Sequence, residues 1–261
     1  MSGDVVLVAA LAAIAAGLAG LFVPRAIAAL REPPPDPVLA ELEAKALEGP
    51  LTPRQQVRLD EGPKRLYRDI GAEPGLAAIT SVVAALVAVA IVLAVGVDPD
   101  LVVLLPVVPI GVLLAVVDLR TRLLPSRVVW AGLGLALVCA AALVPFTDTA
   151  GADLVRALIG FVLGFGFFFV LWFVYPAGMG FGDVRLAGLC GFLLAHQGWG
   201  EWVVGLYSAF LLSGVPALVV ALLRRSTTVL KFNIPLGPFL LVGVPIGLAV
   251  GAWVGQRLVG G

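Results

Sequence analysis

The sequence predicts an all-α, polytopic membrane protein of about eight transmembrane helices with one small cytoplasmic helical loop, and three observations carry that prediction. Only 13% of the 261 residues are charged, against roughly 25% in an ordinary soluble domain. The apolar residues gather into long runs near the ~20 residues that a helix rising ~1.5 Å per residue needs to cross a hydrocarbon core. Finally, the Lys and Arg residues sort by side: with eight spans and the N-terminus outside, 15 of the 17 fall on one face, which the positive-inside rule makes cytoplasmic.

The runs are 5–23, 76–97, 101–117, 128–146, 155–175, 184–198, 201–222 and 236–256. The first lacks a basic stretch before it and follows Asp4, so it reads as an anchor, with "AIAA" at 26–29 leaving a cleaved signal peptide as the alternative. The weakest is 184–198, about 15 residues long and ending at His196 and Gln197, which calls for local thinning of the bilayer or a start in the preceding loop. Cys139 and Cys190 lie inside apolar runs and read as small core residues, too few for a four-thiolate zinc site.

Residues 25–75 form the one soluble segment. Asp36 before Pro37 offers an N-cap with proline at the first helical position, and Thr52, Pro53 and Gln55 repeat that start with capping-box spacing, so two short helices are expected. Leu39, Leu42, Ala46 and Leu47 give the first an apolar stripe. A hairpin packed at the membrane surface follows.

The 17 acids sort in the same way. Nine belong to the loop; Asp4, Asp98, Asp100, Asp148, Asp153 and Glu201 fall at the outer surface; Asp118 and Asp183 remain, at similar depth on the cytoplasmic side. Either acid alone could be paired with Arg120, Arg122 or Arg185, whereas ionisable groups within membrane spans tend to be functional. Two carboxyls sharing a site do not both ionise cheaply, so one keeps its proton while the other takes one from water. That division of labour hydrolyses a peptide bond without nucleophilic side chain or metal. The chain has no H-E-x-x-H or G-x-S-x-G, and its single histidine, His196, falls on the opposite side. Asp183 near a helix N-terminus is favoured as the base over Asp118 near a C-terminus. The alternative class is a proton-coupled transporter with the two acids as a relay, although such sites usually lie near the midplane.

"GMGFGDVRL" (178–186) and "DLRTRLLPS" (118–126) together resemble motifs of the type IV prepilin peptidases, bacterial members of the G-x-G-D intramembrane aspartyl proteases. The family's first motif is Asp, five residues, an aliphatic residue, Pro, then Asn or Asp; Leu124 and Pro125 fit and Ser126 departs. In the second, Gly178, Gly180, Gly182, Asp183 and Leu186 fit and Arg185 replaces lysine. "IPLGPFLLVG" (234–243) is similar to the family's third stretch, and the likeness covers roughly 76–256.

Hydropathy sets apart a first transmembrane helix over 1–24 and the loop over 25–75; the resemblance implies a membrane-embedded aspartyl peptidase core over 76–261. It implies Asp118 and Asp183 as catalytic residues, acting at the cytoplasmic face of the inner membrane on prepilins or pilin-like secretion subunits, after a short basic leader and typically just past a glycine. Gly178, Gly180 and Gly182 would let an extended leader approach the backbone. Pro125, Pro235, Gly237 and Pro238 are further candidates for holding substrate. No metal, cofactor or nucleic acid is expected, and lipid is the solvent. Bifunctional relatives carry two C-x-x-C pairs that bind zinc in the loop and also methylate the new N-terminus; residues 25–75 contain no cysteine, so cleavage without methylation is expected.

Overall fold

The computed structural model describes residues 2–33, 37–52, 55, 56, 59, 62, 65–174, 176, 179–223 and 235–259. Among these the chain is helical without strands. Helix α1 (Gly3–Gly20) turns at Leu21 and Phe22 and continues as α2 (Val23–Ala28), with Pro24 in the first turn where its missing N–H costs nothing. Two short helices of the soluble segment follow, α3 (Pro37–Glu48) and α4 (Tyr67–Gly71). The remaining helices are α5 (Leu76–Val95), α6 (Leu101–Leu104), α7 (Val108–Thr121), α8 (Ser126–Leu143), α9 (Ala150–Val174), α10 (Phe181–Gln197), α11 (Trp199–Leu223) and α12 (Gly237–Val259).

Among the described residues, six segments are long and apolar enough to cross a membrane: Gly3–Ala28, Leu76–Val95, Leu101–Thr121, Ser126–Leu143, Ala150–Val174 and Gly237–Gly255. The third is interrupted by a tight 3₁₀ turn over Leu105–Val107. Pro106 and Pro109 supply no amide hydrogen there, so the i to i−4 ladder cannot run through. α10 has 17 residues, and from Asp183 to His196 every residue but Arg185 is buried. Its neighbours are protein on all sides, so the length that lipid demands of an exposed span does not bind it.

α10 lies against α9, and this contact depends on small residues. Carbonyl oxygen of Ala187 stands 2.8 Å from where a Cβ on Gly164 would be, and that of Gly160 stands 2.6 Å from a Cβ on Gly191. Larger side chains would force the backbones apart. The buried core runs through this pair and continues into α5, α7, α8, α11 and α12.

A second, smaller cluster joins Val23, Ile27, Tyr67, Ile70, Leu76, Leu113 and Val117. It seats α2 and α4 on α7, one residue from Asp118. α4 is not foreseen from the sequence: its first N–H groups, of Tyr67 and Arg68, donate to the Glu32 carboxylate at 2.7 and 2.9 Å, a cap 35 residues upstream. The expected helix at Leu39 and Leu42 is present as α3. Thr52 and Gln55 exchange the capping-box bonds, Thr52 N–H to Gln55 Oε1 at 3.0 Å and Gln55 N–H to Thr52 Oγ1 at 3.4 Å. Asp36 and Pro53 lie outside the described residues.

Candidate active site

Asp118 sits in the last turn of α7, which closes on Arg122 in a left-handed conformation at φ 54°. The chain then runs through Leu123 and Leu124 to Pro125, the extended N-cap of α8. On the facing side Gly180 is the extended N-cap of α10, and Asp183 is its third helical residue. At that position a carboxylate reaches back to an orphan amide of the helix start: Gly180 N–H donates to Asp183 Oδ2 at 3.1 Å. Both acids are buried, Asp118 to 4% exposure and Asp183 to 8%.

Contacts between distant segments bring these two turns together. A Cβ on Gly182 would fall 2.7 Å from Cβ of Leu124, so glycine there lets the start of α10 press against the Asp118 turn. Gly237, the first residue of α12, donates its N–H to Asp118 Oδ2 at 3.2 Å, and a Cβ on it would fall 2.6 Å from that oxygen. Asp118 is in turn close enough for its charge to act on Asp183. The three sequence stretches that carry the family resemblance thus meet at one place.

Of the other expected site residues, Gly180 has room: the nearest atom to a Cβ there is Asp183 Oδ2 at 3.5 Å. Pro125 is half-buried at the start of α8, and Pro235 and Pro238 are half-buried on either side of Gly237. Gly178 lies outside the described residues. Gly182 and Gly237 have packing duties, against Leu124 and Asp118, that sequence spacing alone does not announce.

Two of the arginines available for simple ion pairing with the acids are engaged elsewhere. Arg120 reaches Glu73 at 2.8 Å, where Arg65 also arrives at 2.5 Å. Arg185 donates to Ser126 Oγ at 2.5 Å. Both acids lie in terminal helical turns rather than at mid-span, away from the midplane position usual for transporter sites.

Buried carboxyls paired at helix ends, beside several membrane-length helices, suit a class of multi-pass membrane enzymes that handle water by acid–base chemistry. The match with known proteins narrows that class. Residues 105–222 match the type IV leader peptidase family, a span enclosing both aspartate motifs. Over 142 residues the chain is 34% identical to leader peptidase HopD of Escherichia coli, covering 50% of this chain and 81% of that protein. Over 150 residues it is 35% identical to the prepilin leader peptidase/N-methyltransferase of Escherichia coli strain K12, covering 54% of this chain and 60% of that one. No solved structure matches. The chain belongs to the type IV leader peptidase family and is a peptidase.

Proposed function

We propose that the chain is an intramembrane aspartyl endopeptidase. It removes the basic leader from type IV prepilins or pilin-like secretion subunits at the cytoplasmic face of the inner membrane, with Asp118 and Asp183 as its catalytic pair. The observation that carries this reading is the pair itself: two buried acids from distant turns, each accepting a backbone N–H, within electrostatic reach of each other.

The ionised carboxylate takes a proton from water, whose oxygen attacks the scissile carbonyl carbon. The protonated partner donates to the carbonyl oxygen as charge develops there. Collapse of the tetrahedral intermediate breaks the C–N bond, with a proton passing from a carboxyl to the departing amine. The two acids titrate as a pair.

The same reading holds that this chain cleaves without methylating. Zinc-stapled inserts draw much of their folding energy from Cys thiolates, and residues 25–75 offer neither cysteine nor histidine. The test is to incubate the purified protein with a prepilin and S-adenosylmethionine and weigh the product. Leader loss with an unmodified N-terminus is expected; an intact prepilin defeats the peptidase reading for that substrate class, and a methylated product defeats the second part.

Orientation has its own test. In a cysteine-free background, cysteines at the exposed positions Lys45 and Thr149 should label from the cytoplasmic and outer sides respectively. Labelling of both from one side breaks the assignment.

A further inference from the structure

We infer that Arg185 is a positioning residue for the catalytic pair: clamped between Ser126 and Phe181, it fixes the turn that carries Asp183 to the segment that follows Asp118. This rests on the Asp118–Asp183 reading and adds to it a residue that sets the separation of the two acids.

The geometry has two halves. Arg185 lies two residues beyond Asp183 on the first turns of α10, and Ser126 opens α8 eight residues beyond Asp118. The Arg185 Nη1 donates to Ser126 Oγ at 2.5 Å, a part-buried bond spanning 59 residues of sequence. The Cζ of the same guanidinium lies over the Phe181 ring, 4.5 Å from its centroid. Phe181 is itself held by α9: its ring meets Trp172 edge-on at 4.9 Å between centroids and Phe165 and Phe169 at 6.3 Å. The aromatic row therefore holds the ring over which the guanidinium sits, within reach of Ser126.

Only a planar cation performs both tasks. A guanidinium offers a face for stacking and an edge of directed N–H donors, whereas an ammonium is a point charge on a flexible stem. Together with Leu124 against Gly182, the clamp gives the two turns a second point of contact, on the far side of Asp183. Two contacts resist rotation of one turn against the other, which one contact permits. Water activation between two carboxyls depends on their separation, and a misplacement of ~1 Å can cost about 100-fold in rate.

The two positions at which this sequence departs from the family's motifs, Ser126 and Arg185, are thus the two ends of one hydrogen bond. That makes a reciprocal test available.

Full-length protein in proteoliposomes is assayed on a prepilin under single-turnover and steady-state conditions, with thermal unfolding measured for every variant. Arg185→Lys and Ser126→Ala are each expected to lower kcat about 10- to 100-fold while KM changes by less than about twofold, because substrate binding is left intact. The double variant should be no worse than the poorer single one, since both remove the same contact. Placing Ser126→Asp in the Arg185→Lys background should restore activity at least tenfold over Arg185→Lys alone, as a carboxylate can hold an ammonium. The pH profile should lose height and keep its two limbs.

Losses that multiply in the double variant, a loss confined to KM, or full activity in Arg185→Lys would each overturn the inference. If Arg185→Lys fails to fold, Ser126→Ala, a far smaller change, decides the matter alone. Failure of the underlying reading shows itself differently: Asp118→Asn and Asp183→Asn would then retain cleavage. If the Asn variants are inactive and Arg185→Lys is fully active, the catalytic pair stands and only the clamp falls.

Discussion

The two ends of α10 are both crowded with polar groups, yet they are built on opposite plans. At the His196 end the carbonyls of the last turn are closed off, while both ring nitrogens of the buried His196 lack a hydrogen-bond partner among the described residues. Arg156 on α9 donates to the carbonyl oxygens of Ala195, His196 and Gln197, covering carbonyls that a helix C-terminus leaves without partners, and pairs with Asp153 at 2.8 Å. Gln197 donates to Asp100 Oδ2 at 2.9 Å. Burial pushes the Asp100 carboxyl up, and His196, Gln197 and Arg156 around it more than offset that, so it stays below the ordinary carboxylate value. At the Asp183 end two acids are instead brought toward each other, with backbone amides of Gly180 and Gly237 as donors. Buried polarity therefore does not mark a site by itself. One cluster surrounds its acid with an arginine and an amide; the other brings two acids within reach of each other, where each raises the cost of ionising its partner.

The sharpest break of that contrast is isosteric substitution at each end. Asp118→Asn or Asp183→Asn removes a proton acceptor or donor and keeps the shape. Each should lower the cleavage rate about 1,000-fold, within the range that positioned acid–base groups contribute, with unfolding temperature nearly unchanged. His196→Gln at the other end should leave the rate per folded molecule within about threefold, because nothing there is asked to move a proton. Retention of a tenth of the activity in either Asn variant would remove the distinction between the ends.

A finer contrast lies within the Asp183 end. Gly237→Ala places a Cβ 2.6 Å from Asp118 Oδ2, so either the carboxyl or the start of α12 must shift. A loss of about 10- to 100-fold in kcat is expected from such a displacement. Gly180→Ala meets nothing closer than 3.5 Å and its φ of −76° suits any residue, so activity should change by less than about threefold. If Gly180→Ala proves the worse variant, with the loss in KM, the open backbone at Gly180 is where the leader passes.

The sequence was readable wherever lipid imposes its own rules. Long apolar runs are the cost of crossing hydrocarbon, and sorting charges by side left Asp118 and Asp183 as the two acids at the cytoplasmic ends of spans. Their motifs could be found because each is contiguous, a turn and the first residues of a helix. Contacts between distant segments were not readable: Gly237 on Asp118 spans 119 residues, and Leu124 on Gly182 depends on how two turns pack. α4 was missed for the same reason, being five residues long and capped from Glu32. The expected weakness of the 184–198 run was real as a length. Its resolution, a helix wrapped in protein, is a property of the neighbours and not of the run.

Arg156 gives the smallest expected effect on catalysis and the clearest test of whether the two ends are independent. Sequence placed it merely among the outer-side charges, although it holds the end of α10 through carbonyls 39 to 41 residues away. Arg156→Gln removes the charge and cannot span three carbonyls, leaving buried acceptors without donors; at about 1.5–3 kcal/mol for hydrogen bonds to a charged group, a clear drop in unfolding temperature is expected. Arg156→Lys should recover only part of it, since an ammonium does not fan out as a guanidinium does. Asp183 stands 13 residues from His196, about 20 Å along the helix at ~1.5 Å per residue. Initial rates normalised to folded protein should therefore change by less than about twofold in both variants. A rate that falls while the unfolding temperature holds would mean that the closed end tunes the catalytic one through α10, and the two would have to be treated as a single device.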